Sequence, residues 1–325
     1  MVTIPHPDGG LVTLGEALAV VGTAEPGPLR VGSALRFSFA GAESTVAVGV
    51  ARLGHPAVWV GRVGDDKQGR VVREQLRAEN VETLGVRVDP DAPTALLIKQ
   101  TRTADRTTVT YYRAASAGSR LSPDDLPRRR IRAAGVLHVT GITPALSPSA
   151  AETVLAAIDI ARDAGVPVSF DVNYRGALWA PAAAAPALRK LAESADIVFA
   201  GPAELALITG CEQDEGELRA AARSLLERGV GEVVVKDGAR GAWAETADET
   251  CRCPALTVTM IDPVGAGDAF AAGYLSACFE GMSLEDRLRR GAALGAFCVS
   301  TRGDWEGLPR REELTTLNST DDVQR

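Results

Sequence analysis

Between Gly135 and Lys236 the chain alternates short apolar runs with longer ones in which apolar residues recur at helical spacing. Val136 to Thr140, Val166 to Asp171, Ile197 to Ala200 and Glu232 to Lys236 are rich in Val, Ile and Phe, the composition of strands covered on both faces. The helical stretches are Ser147 to Ala164, with Ser147 as cap and Pro148 in the first turn, then Ala182 to Ser194, Ala203 to Thr209 and Glu215 to Arg228. Such alternation predicts an α/β fold whose mainly parallel sheet is covered by helices on both faces. Ligands on these sheets bind beyond the carboxyl ends of the strands.

The first third is patterned differently. Leu11 to Leu14 reads as a strand ending in Gly15-Glu16, and Gly22 to Phe39, broken by Gly and Pro, allows irregular strands but no helix. Ala40 to Gly54 reads as a glycine turn, a Ser/Thr start and a helix stopped by Gly54. Val58 to Val60 is a strand that leads through glycines to a helix from Arg70 to Asn80. Thr94 to Gln100 and Thr107 to Arg113 form a β-rich hairpin with no helix after it, which with the strands before Phe39 makes a small separate sheet. Near the other end, the helix from Leu284 to about Ser300 carries Gly291, Ala292, Gly295 and Ala296 on one side, a pattern of tight packing. Residues 1–310 are expected to form one domain and the polar residues 311–325 a disordered tail.

Bulk properties narrow the classes. With 325 residues, 46% of them hydrophobic, and no stretch approaching a membrane span, a soluble globular protein is expected. The N-terminus lacks a basic segment followed by an apolar one, so a cytoplasmic protein without a membrane partner is expected. A net charge of −7, with 31 Arg spread along the chain against four Lys, argues against nucleic acid as a partner. The densest basic patch, Arg128 to Arg130 with Arg132, reads as a solvated helix face. Five Cys without paired C-x-x-C spacing point to reduced thiols rather than zinc, and His138, inside an apolar run, reads as a core histidine.

The candidate chemistry lies in Asp262-Pro263-Val264-Gly265-Ala266-Gly267-Asp268-Ala269-Phe270, a loop feeding a helix that runs to about Glu280 and stops at Gly281. The first amides of a helix have no backbone partner and carry the positive end of its dipole, so this is an anion site. Gly265 and Gly267 let the amides of Gly265, Ala266 and Gly267 approach a phosphate closely. A carboxylate among them repels that phosphate unless it takes a proton from an attacking hydroxyl, so Asp268 is the candidate general base. An isolated G-x-G-D is better explained by an Asp that satisfies helix amides.

The whole nonapeptide resembles the C-terminal signature of the ribokinase (PfkB) family of sugar kinases, D-T-x-G-A-G-D-x-F, with Pro263 in place of Thr. The resemblance spans roughly Val12 to Pro309. It implies a ribokinase-like fold with a small β-sheet lid, formed from about 16–39 and 86–116. ATP and Mg2+ are implied as cofactors, with room for a monovalent cation. By the same resemblance the Gly265 to Gly267 amides form the anion hole and Asp268 deprotonates the sugar.

Further motifs follow in family order. Ala40 to Gly54 resembles G-G-x-x-x-N-x-A-x-x-L-x-R-L-G, with Ala40 for the first Gly and Thr45 for the Asn that touches sugar hydroxyls. It implies that Glu16, Gly41, Ala42 and Thr45 line the acceptor pocket. Val63 to Gly69 resembles V-G-x-D-x-x-G. Asp171-Val172-Asn173-Tyr174-Arg175 with Leu178-Trp179 resembles the D-x-N-Y-R-x-x-L-W element of 2-keto-3-deoxygluconate kinases and some fructokinases, which sets Asn173 and Arg175 against phosphate and acceptor. Val235 to Ala242 resembles V-K-x-G-x-x-G-A, implying that Lys236, Gly238 and Gly241 border the nucleotide, and Ala292 flanks its adenine; a plain hairpin turn explains the glycines as well. Where the family carries N-x-x-E, Gly201 occupies the Asn place and Glu204 remains, implied to reach magnesium through water.

Tyr111-Tyr112-Arg113 with Ser116-Ala117 resembles the Y-Y-R-x-x-S-A lid element of 2-keto-3-deoxygluconate kinases, and Gly303-Asp304 their closing G-D, whose Asp reaches the acceptor. Arg113 and Arg175 are bidentate donors suited to a sugar-acid carboxylate. The resemblance therefore implies ATP-dependent phosphorylation of 2-keto-3-deoxygluconate to its 6-phosphate. Two other readings stay open: a fructokinase-like or other ketose kinase in which those Arg residues serve nucleotide phosphates, and a non-catalytic sugar-binding relative. Exposed edges of the small sheet make a homodimer the expected assembly.

Overall fold

In the computed structural model, which describes residues 1–103 and 106–314, the alternating pattern folds as its periodicity requires. The chain runs β1 (Leu11–Leu14), β2 (Leu18–Thr23), β3 (Leu35–Ala40), α1 (Ala42–Arg52), β4 (Ala57–Gly64), α2 (Lys67–Ala78), β5 (Val81–Glu82), β6 (Val86–Asp89), β7 (Leu96–Thr103) and β8 (Arg106–Tyr112). It continues through α3 (Arg128–Arg132), β9 (Val136–Thr140), α4 (Pro148–Asp163), β10 (Val168–Asp171), α5 (Pro181–Ala192), β11 (Ile197–Ala200), α6 (Pro202–Thr209), α7 (Glu215–Glu227) and β12 (Glu232–Lys236). A hairpin, β13 (Ala242–Glu245) and β14 (Thr250–Cys253), precedes the last two helices, α8 (Ala266–Phe279) and α9 (Leu284–Val299).

The large sheet has the order β14-β13-β12-β11-β10-β9-β1-β4-β5, with β6 added to the end of β4. Its centre is parallel, and only the β12-β13-β14 edge is antiparallel. Side chains alternate between two cores. Val198 and Ala200 of β11 pack with α4 to α7 on one face, whereas Ile197 and Phe199 pack with α1, α2, α8 and α9 on the other. The second sheet, β3-β2-β7-β8, is short and nearly coreless, with Leu18, Ala40, Ala95 and Leu97 as its buried cluster.

Three expectations need adjustment. Residues 86–89 belong to the large sheet, because Val86 to Asp89 pairs with Gly61 to Gly64, so the C-terminal half of the small sheet starts at Leu96. Helix α2 begins at Lys67 rather than Arg70, since Asp66 accepts the Gly69 amide at 2.7 Å and caps it there. Of the tail expected from 311, residues 311–313 form a short turn in which Arg311 donates to the Leu53 carbonyl and pairs with Glu280 at 2.6 Å, while 315–325 lie outside the described residues. No helix among the described residues is long and apolar enough to cross a membrane. His138 is buried, 3.0 Å from Ser169 Oγ, and burial with the nearby Lys236 charge pushes its pKa down to about 3, so it is a neutral core histidine.

The small residues of α9 prove to have two uses. Gly291 faces the Phe270 ring, and a Cβ on Gly273 would lie 2.7 Å from the Arg290 carbonyl, so α8 and α9 touch backbone to backbone. Ala normally improves a helix by about 1 kcal/mol over Gly. Here Gly273→Ala is expected to lose about 1 to 3 kcal/mol by overpacking that contact, measured as a lower midpoint in thermal unfolding; an unchanged or higher midpoint would show that α8 and α9 part freely.

Candidate active site

Helix α8 starts at the carboxyl end of the parallel sheet, and its position is fixed by Gly265. That residue has φ 79°, in the left-handed region, and any Cβ there would strike the Asp304 carbonyl. Behind it, Gly265, Ala266, Gly267 and Asp268 line a cavity of about 720 Å3. Its other walls are Asp171, Asn173 and Arg175 after β10, Gly201 and Glu204 after β11, Lys236, Gly238 and Gly241 after β12, and Ala292, Gly295 and Ala296 of α9. The structure therefore gathers every residue expected at the nucleotide around one opening, together with Tyr111.

Asp268 is 8% exposed and accepts a hydrogen bond from Asn173 Nδ2 at 2.9 Å. Burial raises its pKa to about 7; Asp171 and Glu43 push the same way, while Lys236 and Arg175 oppose them. Asn173, expected at phosphate, lines the same cavity and also holds the candidate base. Its φ of 39° is one that Asn tolerates, and the turn is secured where the Tyr174 amide donates to Glu204 Oε1 at 2.8 Å. Arg175 is exposed and donates to its neighbour's carbonyl, Tyr174 O, at 3.3 Å, so it reaches Asp268 only through its field.

Glu204 has a structural task as well: its other oxygen accepts the Gly201 amide at 2.7 Å, closing the first turn of α6 without a side chain at 201. Among the described residues no group of three His, Cys, Asp or Glu could hold a metal ion. The donors fit a cation that arrives on phosphate and meets protein through water. Asp171 Oδ1, buried without a partner at the cavity, is a further acceptor of that kind.

The expected acceptor residues form a second linked group. Arg113 Nη2 pairs with Glu16 Oε2 at 2.6 Å and its guanidinium stands 5.6 Å from the Tyr111 ring. Ser116 donates to the other Glu16 oxygen. Burial raises the Glu16 pKa although Arg113 and Ser116 work against it. Gly41 leaves room for the Glu16 carbonyl, 2.6 Å from where its Cβ would stand. One edge of Arg113 is thus already taken, and its buried Nε has no partner. Thr45 Oγ1 is likewise buried and unpartnered, and Ala42 is buried beside it on α1. Glu16, Gly41, Ala42, Thr45 and Arg113 are not among the residues lining the large cavity. Asp304 lines a neighbouring cavity of about 290 Å3, where burial lifts its pKa to about 7 against the opposing Lys99 charge.

Two features escape local sequence reading. Glu43, fully buried in the first turn of α1, accepts from Thr140 Oγ1 at 2.6 Å and Thr143 Oγ1 at 2.7 Å, in space opened by Gly15. A lone Glu among the small residues of that helix start is its one signal. Lys99 of β7 pairs with Asp262, which ties the small sheet to the loop before Gly265; nothing local marks it.

Because the folded-state pKa of Asp268 lies above its ordinary 3.8, protonation stabilises the fold and ionisation above pH 7 costs stability. Asp268→Asn keeps the contact to Asn173 and is expected to raise the thermal midpoint by a few degrees at pH 8, the gain shrinking as pH falls from 7 towards 4. A gain independent of pH would deny the buried carboxylate that cost.

A family model described as pfkB family carbohydrate kinase matches residues 10–311. A Bacillus subtilis (strain 168) protein, 2-dehydro-3-deoxygluconokinase, is 39% identical over 315 residues, which is 95% of this chain and 95% of the relative. A 2-dehydro-3-deoxygluconokinase of Thermoproteus tenax is 36% identical over 311 residues, 94% of this chain and 93% of the relative. Among solved structures, a fructokinase with bound ATP from Xylella fastidiosa superposes with a TM-score of 0.83 at 26% identity, covering 95% of this chain and 98% of that one.

Proposed function

Because the chain belongs to the pfkB family of carbohydrate kinases, and so is a sugar kinase, we propose that it transfers the γ-phosphoryl group of ATP to the terminal hydroxyl of a sugar acid, 2-keto-3-deoxygluconate, giving the 6-phosphate. One observation carries the chemistry: the buried Asp268 carboxyl, steadied by Asn173, stands in the first turn of α8 beside amides that have no helical partner.

In this reading Asp268, with a pKa near the working pH, takes the hydroxyl proton as the sugar oxygen attacks in line. The amides of Gly265, Ala266 and Gly267 form the anion hole and Arg175 adds positive charge at the rim. Ala292, Gly295 and Ala296 with Gly238 and Gly241 offer a shallow, small-residue wall to the adenine. Glu204, through water, would hold the Mg2+ that offsets charge on the nucleotide phosphates. The small sheet acts as a lid, carrying Tyr111 and Arg113 over the acceptor, with Asp304, Gly41 and Thr45 around it.

Arg113, a half-buried guanidinium beside the Tyr111 ring, supports an acidic acceptor as the cation of the small sheet, although Glu16 already holds its Nη2. A fructokinase-like ketose kinase is the second reading, favoured by that same Glu16, which already neutralises Arg113.

Phosphate transfer from MgATP to 2-keto-3-deoxygluconate, its galacto epimer, fructose, ribose and a nucleoside separates these readings. Preference for the keto-deoxy acids is expected; fructose or ribose in first place would leave Asp268 its role and remove Arg113 as carboxylate reader. Asp268→Asn should lower kcat by about 10²- to 10⁴-fold with both KM values nearly kept. Arg113→Ala should raise KM for the sugar acid tenfold or more (about 1.4 kcal/mol or above) and leave a neutral ketose nearly unaffected.

The outer face of the small sheet exposes Leu35 (51%), Phe37 (49%) and Tyr112 (58%), too much apolar surface on one short sheet to leave in water. We expect a homodimer through this face. Light scattering on purified protein should give the dimer mass, and Phe37→Asp the monomer; a wild-type monomer would end that expectation.

A further inference from the structure

Of the 35 basic residues only four are Lys, and two of those, Lys99 and Lys236, stand at the site. A chain that uses Arg almost everywhere keeps a compact point charge at position 236. Lys236 closes β12, and its Nζ donates to Asp171 Oδ2 at 2.5 Å across the end of β11, the strand between β12 and β10. A Cβ on Gly267 would lie 3.2 Å from that Nζ. Gly267 has no left-handed backbone, a Cβ there would crowd the ammonium, and the ammonium sits directly against the first turn of α8.

The pair is unsaturated on the side of the cavity. Of three ammonium donors Asp171 takes one, and Asp171 Oδ1 is buried with no partner at all. A buried ion pair of purely structural use needs its remaining lone pairs and protons satisfied to break even. Burial lowers the Lys236 pKa, but Asp171, Glu204 and Asp268 outweigh it, so the group stays charged at all working pH.

We propose that Lys236, positioned by Asp171, is a protein-borne cation that contacts the transferred phosphoryl group as it passes from nucleotide to acceptor. The inference rests on the kinase reading above. No covalent step is added to that reading: the ammonium donates hydrogen bonds to equatorial phosphoryl oxygens whose charge grows during transfer, and it remains protonated throughout.

Lys236→Gln keeps a donor for Asp171 and removes the charge, whereas Lys236→Arg keeps the charge and loses the fit beside Gly267. For Lys236→Gln the expected loss is about 10²- to 10³-fold in kcat, with KM for the sugar and the dissociation constant of ADP within about threefold of wild type. Lys236→Arg is expected to recover part of kcat. A Lys236→Gln enzyme within tenfold of wild-type kcat, or one whose whole loss appears as weaker nucleotide binding, overturns the role.

Should Lys236→Gln fail to fold, wild-type protein answers through its four lysines. After 13C-dimethylation, which preserves charge, the Lys236 resonance is expected to move when fluoroaluminate joins ADP and sugar, and not with ADP alone; no such movement overturns the proposal. Wild-type enzyme that phosphorylates nothing in the acceptor panel would remove the kinase reading instead, a result distinct from either outcome at Lys236.

Discussion

The structure depends on burying several carboxyl groups, two of them with pKa raised to about 7, next to a place built to receive more negative charge. Asp268, Asp171, Glu43, Glu16 and Asp304 all lie at or near the opening above the parallel strands, and each is removed from bulk water. Burial alone would neutralise them. Each therefore has its own local support: Asn173 for Asp268, Lys236 for Asp171, two threonine hydroxyls for Glu43, Arg113 with Ser116 for Glu16, and the Lys99 charge for Asp304. The Gly265 turn and the α8 amides then face a cavity in which Asp171 Oδ1 is left unpaired.

The fold supplies these supports from widely separated segments. Three parallel strands, β10, β11 and β12, end side by side and deliver Asp171, Gly201 and Lys236 into one cavity, because neighbouring strands in register must end near one another. Helices α1 and α8 pack on the same face of the sheet, which places Glu43 and Asp268 within electrostatic reach. The small sheet has almost no core of its own, so its position follows from ties such as Lys99 to Asp262 and Arg113 to Glu16.

What the sequence made legible follows from range. The βαβ alternation, the caps at Ser147 and Gly281 and the helix after Gly267 are local patterns, and these elements form where the pattern puts them. The nonapeptide around Asp268 was readable because its glycines have a local mechanical reason. Partnerships were not readable, because Glu16 and Ser116 meet across a hundred residues and nothing in either segment announces the other. Hence the pairing of Arg113 with Glu16 and the hydrogen bond from Asn173 to Asp268 emerge only in the structure. The strands β14, β5 and β6 escaped because edge strands bury little and need no strong apolar alternation, and β13 because it is only four residues long although buried throughout.

The same charge balance bears on which acceptor the site can take. An anionic sugar acid brings a further negative charge towards Asp268 and Asp304, and with both carboxyls fully ionised that approach would be opposed at short range in a medium of low dielectric. Their pKa values near 7 change the problem, since each can hold a proton in the resting protein and release it when a cation or a positive dipole comes close. Arg113 then has to fix the far end of the substrate, and Glu16 keeps that guanidinium in place while the pocket is empty. A neutral ketose meets no such opposition, so the burial and the neighbouring carboxylates that raise the Asp268 pKa work against an anionic acceptor, and in the proposed reading it is Arg113 that has to outweigh them.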